Sequence, residues 1–314
     1  MEHRDYNGFF AGRTVLVTGG AGFIGSHLTQ HLAGLNCHVR VLDDFSSGYK
    51  TNLDTIEATV VEGSILDQDA LDRSIEACSI VFHEAAMVSV PLSVEEPEFC
   101  DLVNVKGTNN VIEAAIRAGS ERIVFASSAA CYGSNPTLPS SETDPLSNES
   151  PYAQSKRDGE QLMVNANGID TVSLRYFNVF GDRQDSTSQY AAVVSAFTDA
   201  VWHNRTPVIF GDGSQTRDFT HVSNVIHANL LAAAHDKPLC GSIFNVGTGS
   251  TTSVLQLLQL LQNQDEPEVQ FQPTRQGDVH HSCANIESIQ QVLGYRPIVE
   301  TWCAIASLVS PKRN

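Results

Sequence analysis

Residues 15–27, VLVTGGAGFIGSH, decide the fold. They belong to a short run rich in branched apolar side chains, TVLVTG (14–19), bounded by glycine, which reads as a buried strand. Helical spacing starts directly afterwards in FIGSHLTQHLAG (23–34). Gly19, Gly22 and Gly25 occupy the junction. Glycines there let the backbone turn tightly and approach a pyrophosphate, which the helix N-terminus then stabilises. The spacing is G-x-x-G-x-x-G rather than the commoner G-x-G-x-x-G, so the flanking strand and helix carry the reading. The next strand, HVRVLD (38–43), ends in Asp43, where an acid can hold the adenosine ribose hydroxyls. Its charge repels a 2′-phosphate, which favours NAD over NADP.

The same alternation continues outward. TVVEG (59–63), IVFHEA (80–85) and RIVFASS (122–128) read as further buried strands, and NVKGTNNVIEAAIRAG as a helix stopped by Gly119. Alternation of this kind implies an α/β fold with a doubly wound parallel sheet. Two more strand-like runs follow, TVSLRYFNV (171–179) and SIFNVG (242–247). Beyond about residue 180 the alternation loosens. The expected division is a dinucleotide-binding domain over 1–180, its sheet completed by the strand near 242–247, and a smaller ligand-binding lobe over 181–314.

Bulk properties narrow the partners. The formal net charge of −17 argues against nucleic acid and anionic membrane, both of which need a basic surface. No stretch approaches a membrane span, and the opening MEHRDYNGFFAGR lacks the apolar run of a signal peptide. Seven scattered cysteines without a C-x-x-C read as reduced thiols of a cytoplasmic protein. His280, His281 and Cys283 form the one local group resembling metal ligands, but adjacent histidines point different ways, so no metal is assigned.

The stretch SPYAQSK (150–156) carries the candidate chemistry. A helix opening there puts Tyr152 and Lys156 one turn apart on one face. Upstream, FASSAACYG leaves Ser127 and Ser128 at the carboxyl edge of the fifth strand, where ligands bind in such sheets. A lysine ammonium lowers the pKa of a neighbouring phenol, and a nicotinamide cation lowers it further. Tyr152 is then a general base toward an alcohol or sugar hydroxyl, with Ser128 bonding the same oxygen.

Taken together, TGGAGFIG, VLDDFSSG, VFHEAA, NVKGTNNV, FASSAACYG and PYAQSK resemble the extended short-chain dehydrogenase/reductase family, in order and spacing, over essentially the whole chain. The resemblance implies a Rossmann sheet and a tightly held NAD regenerated in each cycle. Tyr152 would be the base, Lys156 a ribose ligand and pKa tuner, and Ser128 the hydroxyl partner. The implied cofactor contacts are Gly19, Gly22, Phe23, Ile24, Gly25, Asp43, Asp44, Ser46, Gly48, Ile65, Ala85, Ala86, Asn104, Ser127, Tyr152, Lys156 and Tyr176, with Phe177 also near the nicotinamide. Two positions depart from the family pattern: Ser64 replaces an acid that commonly meets the adenine, and Leu92 replaces a basic residue.

LRYFNVFG (174–181), GDGSQTRDFTHVSNV (211–225) and PTRQGDVHHS (273–282) resemble the nucleotide-sugar epimerase branch of that family. By that resemblance Asn178, Arg217 and Arg275 bind a diphosphate, Phe210 packs on uracil, Asp278 holds the ribose, and Ser89 and Val193 complete the substrate set. Related dehydratases and decarboxylases carry an acid just after the strand-end hydroxyl, whereas Ala129 and Ala130 follow Ser128 here. Ser282 takes the place of a gatekeeper whose small size leaves room for an N-acetyl group, and AAMVSVP resembles the N-acetylhexosamine version of its loop. The implied activity interconverts UDP-GlcNAc and UDP-GalNAc, with UDP-Glc and UDP-Gal as a further pair. The alternatives are a UDP-glucose-only epimerase, a dehydratase or decarboxylase, and a non-catalytic NAD-binding regulator. Relatives pair the helices at about 99–118 and 152–167 in a homodimer; Val103, Val111, Ile112 and Ile116 suit either such a face or packing on the sheet.

Overall fold

A computed structural model describes residues 6–134, 137–147, 149–185, 193–274 and 279–309. Seven parallel strands form the central sheet in the spatial order Ser242–Val246, Asp170–Tyr176, Arg122–Ser128, Ile80–His83, Thr14–Thr18, His38–Asp43, Thr59–Glu62. The doubly wound sheet expected from the alternation is therefore present. Strand order reverses between Thr14–Thr18 and Ile80–His83, which opens a crevice at their carboxyl ends.

Both faces of the sheet are covered, and each strand sends alternate residues to opposite sides. Val15, Val17, Val39, Val41, Val124 and Leu174 pack under the helices Phe23–Gly34 and Val222–Ala233. Leu16, Leu42, Val81, Ile123 and Phe125 pack on the other face against Leu71, Val111, Ile112 and Met163. A third cluster, including Phe180, Phe197, Ile209, Leu257, Leu258 and Ile305, builds the C-terminal lobe.

Three details refine the sequence expectation. The run 171–179 is not one strand: Asp170–Tyr176 ends early, and Val179–Phe180 pairs separately with Thr220–His221. Asn178, at φ +32°, turns the chain between them. The segment before Gly119 is also composite. Pro97–Asp101 and Gly107–Ala118 are α-helical, but Leu102–Lys106 is a π turn. Such a turn re-aims side chains, and here it directs Asn104 inward. Finally, of the two orientations open to them, Val111 and Ile112 take the one facing the core. The exposed apolar side chains of this region are Phe99, Leu102, Ile116 and, on the neighbouring helix Pro151–Asn165, Val164.

Candidate active site at the switch-point crevice

The glycine turn is shaped by close approach. Gly19 has φ +68°, and a Cβ there would lie 2.7 Å from the Ala85 nitrogen. A Cβ on Gly25 would meet the Gly19 carbonyl oxygen at 2.1 Å. A Cβ on Gly48 would lie 2.9 Å from the Ala21 backbone, so the 43–48 loop also presses on the turn. No side chain caps the helix Phe23–Gly34 at Gly22, which leaves its first-turn N–H groups, on Phe23, Ile24 and Gly25, for an outside acceptor. Asp43 is nearly buried and braces the turn: Oδ2 accepts from the Ala21 N–H and Oδ1 from the Phe45 N–H, both at 2.8 Å. Burial pushes its carboxyl up, against those two bonds. Asp44 folds back onto Ser46 instead, accepting from its N–H at 3.0 Å and its hydroxyl at 2.6 Å. A bare backbone cradle, uncapped helix N–H groups and a strand-end carboxylate fit a dinucleotide's pyrophosphate and ribose.

The second half of the crevice gathers the titratable groups. Pro151 opens the helix Pro151–Asn165, and the Ser150 hydroxyl caps it by accepting from the Ala153 N–H at 3.1 Å. Tyr152 and Lys156 thereby face the end of the strand Arg122–Ser128. Ser128 stands beside Tyr152 and acts to lower its pKa, and its Oγ accepts from the Ala130 N–H at 3.1 Å. The expected lowering of the Tyr152 pKa by Lys156 does not hold in the protein by itself. Burial pushes the phenol up to about 12, and Ser128 opposes this only partly. Lys156 is itself buried: its Nζ donates to the Ala126 carbonyl at 2.7 Å, and burial lowers it to about 8.

Other predicted contacts are scaffolding in part. Asn104, from the π turn, grips Met87 through both its N–H (2.8 Å) and its carbonyl (3.0 Å), and donates to Ser155 Oγ at 2.9 Å. It thus ties the loop after the fourth strand to the Tyr152 helix. The Ser127 hydroxyl is turned inward and donates to Glu160 at 2.5 Å. Glu160 in turn forms a buried two-bond pair with Arg175, at 2.8 and 2.7 Å. Ile65 is buried beneath Gly107, and Ala85 and Ala86 are half-buried at the crevice rim. Tyr176 directly opposes Ser128 in the sheet register, and its hydroxyl donates to Glu84 at 2.8 Å. Glu84 was missed by sequence reasoning. The signal was a lone acid at the end of the strand run IVFHEA.

The residues assigned to substrate come from several elements. Ser89 caps the helix Val90–Glu95, accepting from the Leu92 N–H at 3.2 Å. Val193 begins the helix Val193–Trp202, and half-buried Phe210 ends the strand Val208–Phe210. Arg217 donates to the carbonyls of Thr216 (3.0 Å) and His280 (3.2 Å), while the Ser282 N–H donates to the Thr216 carbonyl at 3.1 Å. Arg217 and Ser282 therefore meet at one hydrogen-bonded junction of the lobe. Arg275 and Asp278 lie outside the described residues.

Residues 15–247 match the NAD dependent epimerase/dehydratase family. The chain belongs to that family. It is thus an NAD-dependent enzyme, an isomerase of the nucleotide-sugar type. The chain is 39% identical over 312 residues to a UDP-glucose 4-epimerase of Mycolicibacterium smegmatis, covering 95% of this chain and 98% of that one. It is 33% identical over 254 residues to a UDP-N-acetyl-alpha-D-glucosaminuronate decarboxylase of Bacillus cytotoxicus, covering 78% of each. Among solved structures, it superposes with a TM-score of 0.88 on a UDP-N-acetylglucosamine 4-epimerase from Methanobrevibacter ruminantium M1 in complex with UDP-N-acetylmuramic acid. That pair is 34% identical, covering 95% of this chain and 97% of the other. Among the described residues of this family member, no helix is long and apolar enough to cross a membrane.

Proposed function

We propose that this enzyme inverts C4 of UDP-hexoses, with UDP-GlcNAc and UDP-GalNAc as its preferred pair and UDP-Glc and UDP-Gal as a second. The observation that carries the reading is the neighbouring Ser128 and Tyr152 hydroxyls at the strand end, close enough for Ser128 to pull the phenol's pKa down, followed by two methyl side chains, Ala129 and Ala130. That pair can hold one sugar oxygen and move one proton. The alanines supply no second acid, as elimination or decarboxylation in this family would require. NAD, which the glycine cradle and Asp43 would hold, would supply the acceptor and later the donor of the C4 hydrogen. Tyr152 takes the O4 proton as the C4 hydrogen leaves; the 4-keto sugar then turns its other face to the returning hydrogen and Tyr152 gives the proton back to O4, while Ser128 fixes the oxygen. A positive charge beside the phenol lowers its pKa from about 12 toward a useful range. With Lys156 already 5.9 Å from the Tyr152 ring centre the phenol stays at about 12, so the further charge would come from the oxidised nicotinamide.

Ser282 supports the N-acetyl preference, since a small side chain leaves room at C2 without rejecting a plain hexose. An unfilled pocket discriminates by only roughly 1–3 kcal/mol. The Methanobrevibacter relative's name supports the same preference, and the Mycolicibacterium relative's name supports the plain pair. Exposed Phe99, Leu102, Ile116 and Val164, on neighbouring helices, support a homodimer through that face. Seven free cysteines support a cytoplasmic location.

The test is to incubate purified protein, without added NAD, with UDP-GlcNAc and separately with UDP-Glc, and to resolve the nucleotide sugars. UDP-GalNAc formation is expected. Turnover of UDP-Glc alone would remove the N-acetyl preference, and release of a keto sugar or carbon dioxide would replace the epimerase reading.

A further inference from the structure

Glu84 ends the fourth strand's run at the crevice, one residue before Ala85, whose backbone presses on Gly19. It is the acceptor at the end of an oriented chain. Asn229, buried in the middle of the helix Val222–Ala233, donates from Nδ2 to the Tyr176 hydroxyl at 2.8 Å. An amide NH2 can only donate, so the tyrosine hydroxyl donates onward to Glu84 at 2.8 Å. Asn229 is itself anchored to the Val225 carbonyl at 2.9 Å, which fixes the direction of the whole chain. Among the described residues no cationic side chain pairs with Glu84. Lys156 acts on it electrostatically, but its ammonium is bonded to the Ala126 carbonyl. Glu84 is half-buried at the crevice edge, and a partly desolvated carboxylate without a paired cation is costly. Here that carboxylate is held rigidly at the edge where a dinucleotide binds.

Its place along the sheet says which half of the dinucleotide it meets. Asp43 and the glycine turn lie on the adenosine side of the switch point. Glu84 lies on the far side, and its partner Tyr176 sits opposite Ser128 in register. The ring that exchanges hydrogen with a carbon whose oxygen Ser128 and Tyr152 hold must lie on this side. The oxidised nicotinamide is a cation and the reduced one is neutral.

We propose that Glu84 is an electrostatic positioning residue whose carboxylate, held by Tyr176 and Asn229, favours the oxidised nicotinamide over the reduced one. Its effect is to keep the enzyme in the oxidised state between turnovers. Burial raises the carboxyl to about 7, with the Tyr176 bond and Lys156 opposing, so a cation arriving beside it draws the group toward its charged form. The inference rests on cofactor binding in this crevice.

Glu84→Gln keeps an acceptor for Tyr176 and removes the charge. Full-length holoenzyme, wild type and variant, is equilibrated with mixtures of NAD+ and NADH, freed of unbound nucleotide, and denatured so that the bound forms can be resolved. The bound NAD+/NADH ratio at a given mixture is expected to fall about tenfold in the variant, the equivalent of one pKa unit of lost interaction. An unchanged ratio overturns the role of Glu84. If Gln does not fold, Glu84→Met, of similar length and uncharged, carries the same test. Absence of bound nucleotide in the wild type would instead overturn the cofactor-site reading.

Discussion

Tyr152 shows why a reactive group is not described by its neighbours in sequence alone. Lys156 is one helical turn away, yet its ammonium is bonded to the Ala126 carbonyl and the phenol sits at about 12. Tyr152→Phe should lower epimerisation by at least about 100-fold while bound NAD is retained, since only the proton-transferring oxygen is lost. Turnover and cofactor content measured on one preparation check this. Because the phenolate is the active form and its pKa is raised in the protein, activity should increase with pH through the phenol's ionisation. Lys156→Met, which removes a positive charge, should move that limb of the pH–rate profile to higher pH. A limb that stays in place would show that Lys156 does not tune Tyr152. At Ser282, substitution by Tyr should selectively depress turnover of UDP-GlcNAc and leave UDP-Glc turnover largely intact. Competition between the two substrates reads this out directly.

At the scale of elements, two contacts set where the reactive groups stand. The first is the glycine turn. Gly25→Ala would place a methyl 2.1 Å from the Gly19 carbonyl oxygen, so the helix Phe23–Gly34 must move off the strand. Loss of bound NAD is expected, measured as nucleotide released on denaturation. The second is the Arg175–Glu160 pair, which joins the strand Asp170–Tyr176 to the helix carrying Tyr152 and also receives the Ser127 hydroxyl. Both partners are almost fully buried, so removing one leaves an uncompensated charge. Glu160→Gln should cost roughly 3–5 kcal/mol of stability by denaturant titration. Replacing both residues by apolar ones should cost less than that single change.

For the whole molecule, the interleaving of the lobes matters more than any boundary near residue 180. The helix Val222–Ala233 and the strand Ser242–Val246 return from the C-terminal half to cover and extend the sheet. Arg122 seals this return: it pairs with Asp170 at 2.5 Å and donates to the carbonyls of Ala232, Ala233 and His235 where that helix ends. A cation satisfying the last carbonyls of a helix is favourable both as a cap and against the helix dipole. On the opposite side, Phe99 and Leu102 are exposed. Phe99→Asp combined with Leu102→Lys should convert a dimer to a monomer by sedimentation. A wild-type protein that is already monomeric would remove the dimer proposal.

The sequence by itself determined the sheet and its dinucleotide end, because strand and helix periodicity, glycine placement and the strand-end acid are local signals. Phe23–Gly34, His38–Asp43 and Arg122–Ser128 have the bounds their patterns predict. The Tyr152–Lys156 pairing was legible for the same reason, as two residues one turn apart behind a capping serine and a proline. Only the tertiary structure decided what depends on packing between distant segments. It turned Val111 and Ile112 into the core, broke the sixth strand at Asn178, and inserted the π turn that aims Asn104 at Met87. It also set the protonation of Tyr152 and Lys156 and brought Asn229, Tyr176 and Glu84 into one chain. Burial and hydrogen-bond direction are properties of the assembled fold, and no spacing along the chain encodes them.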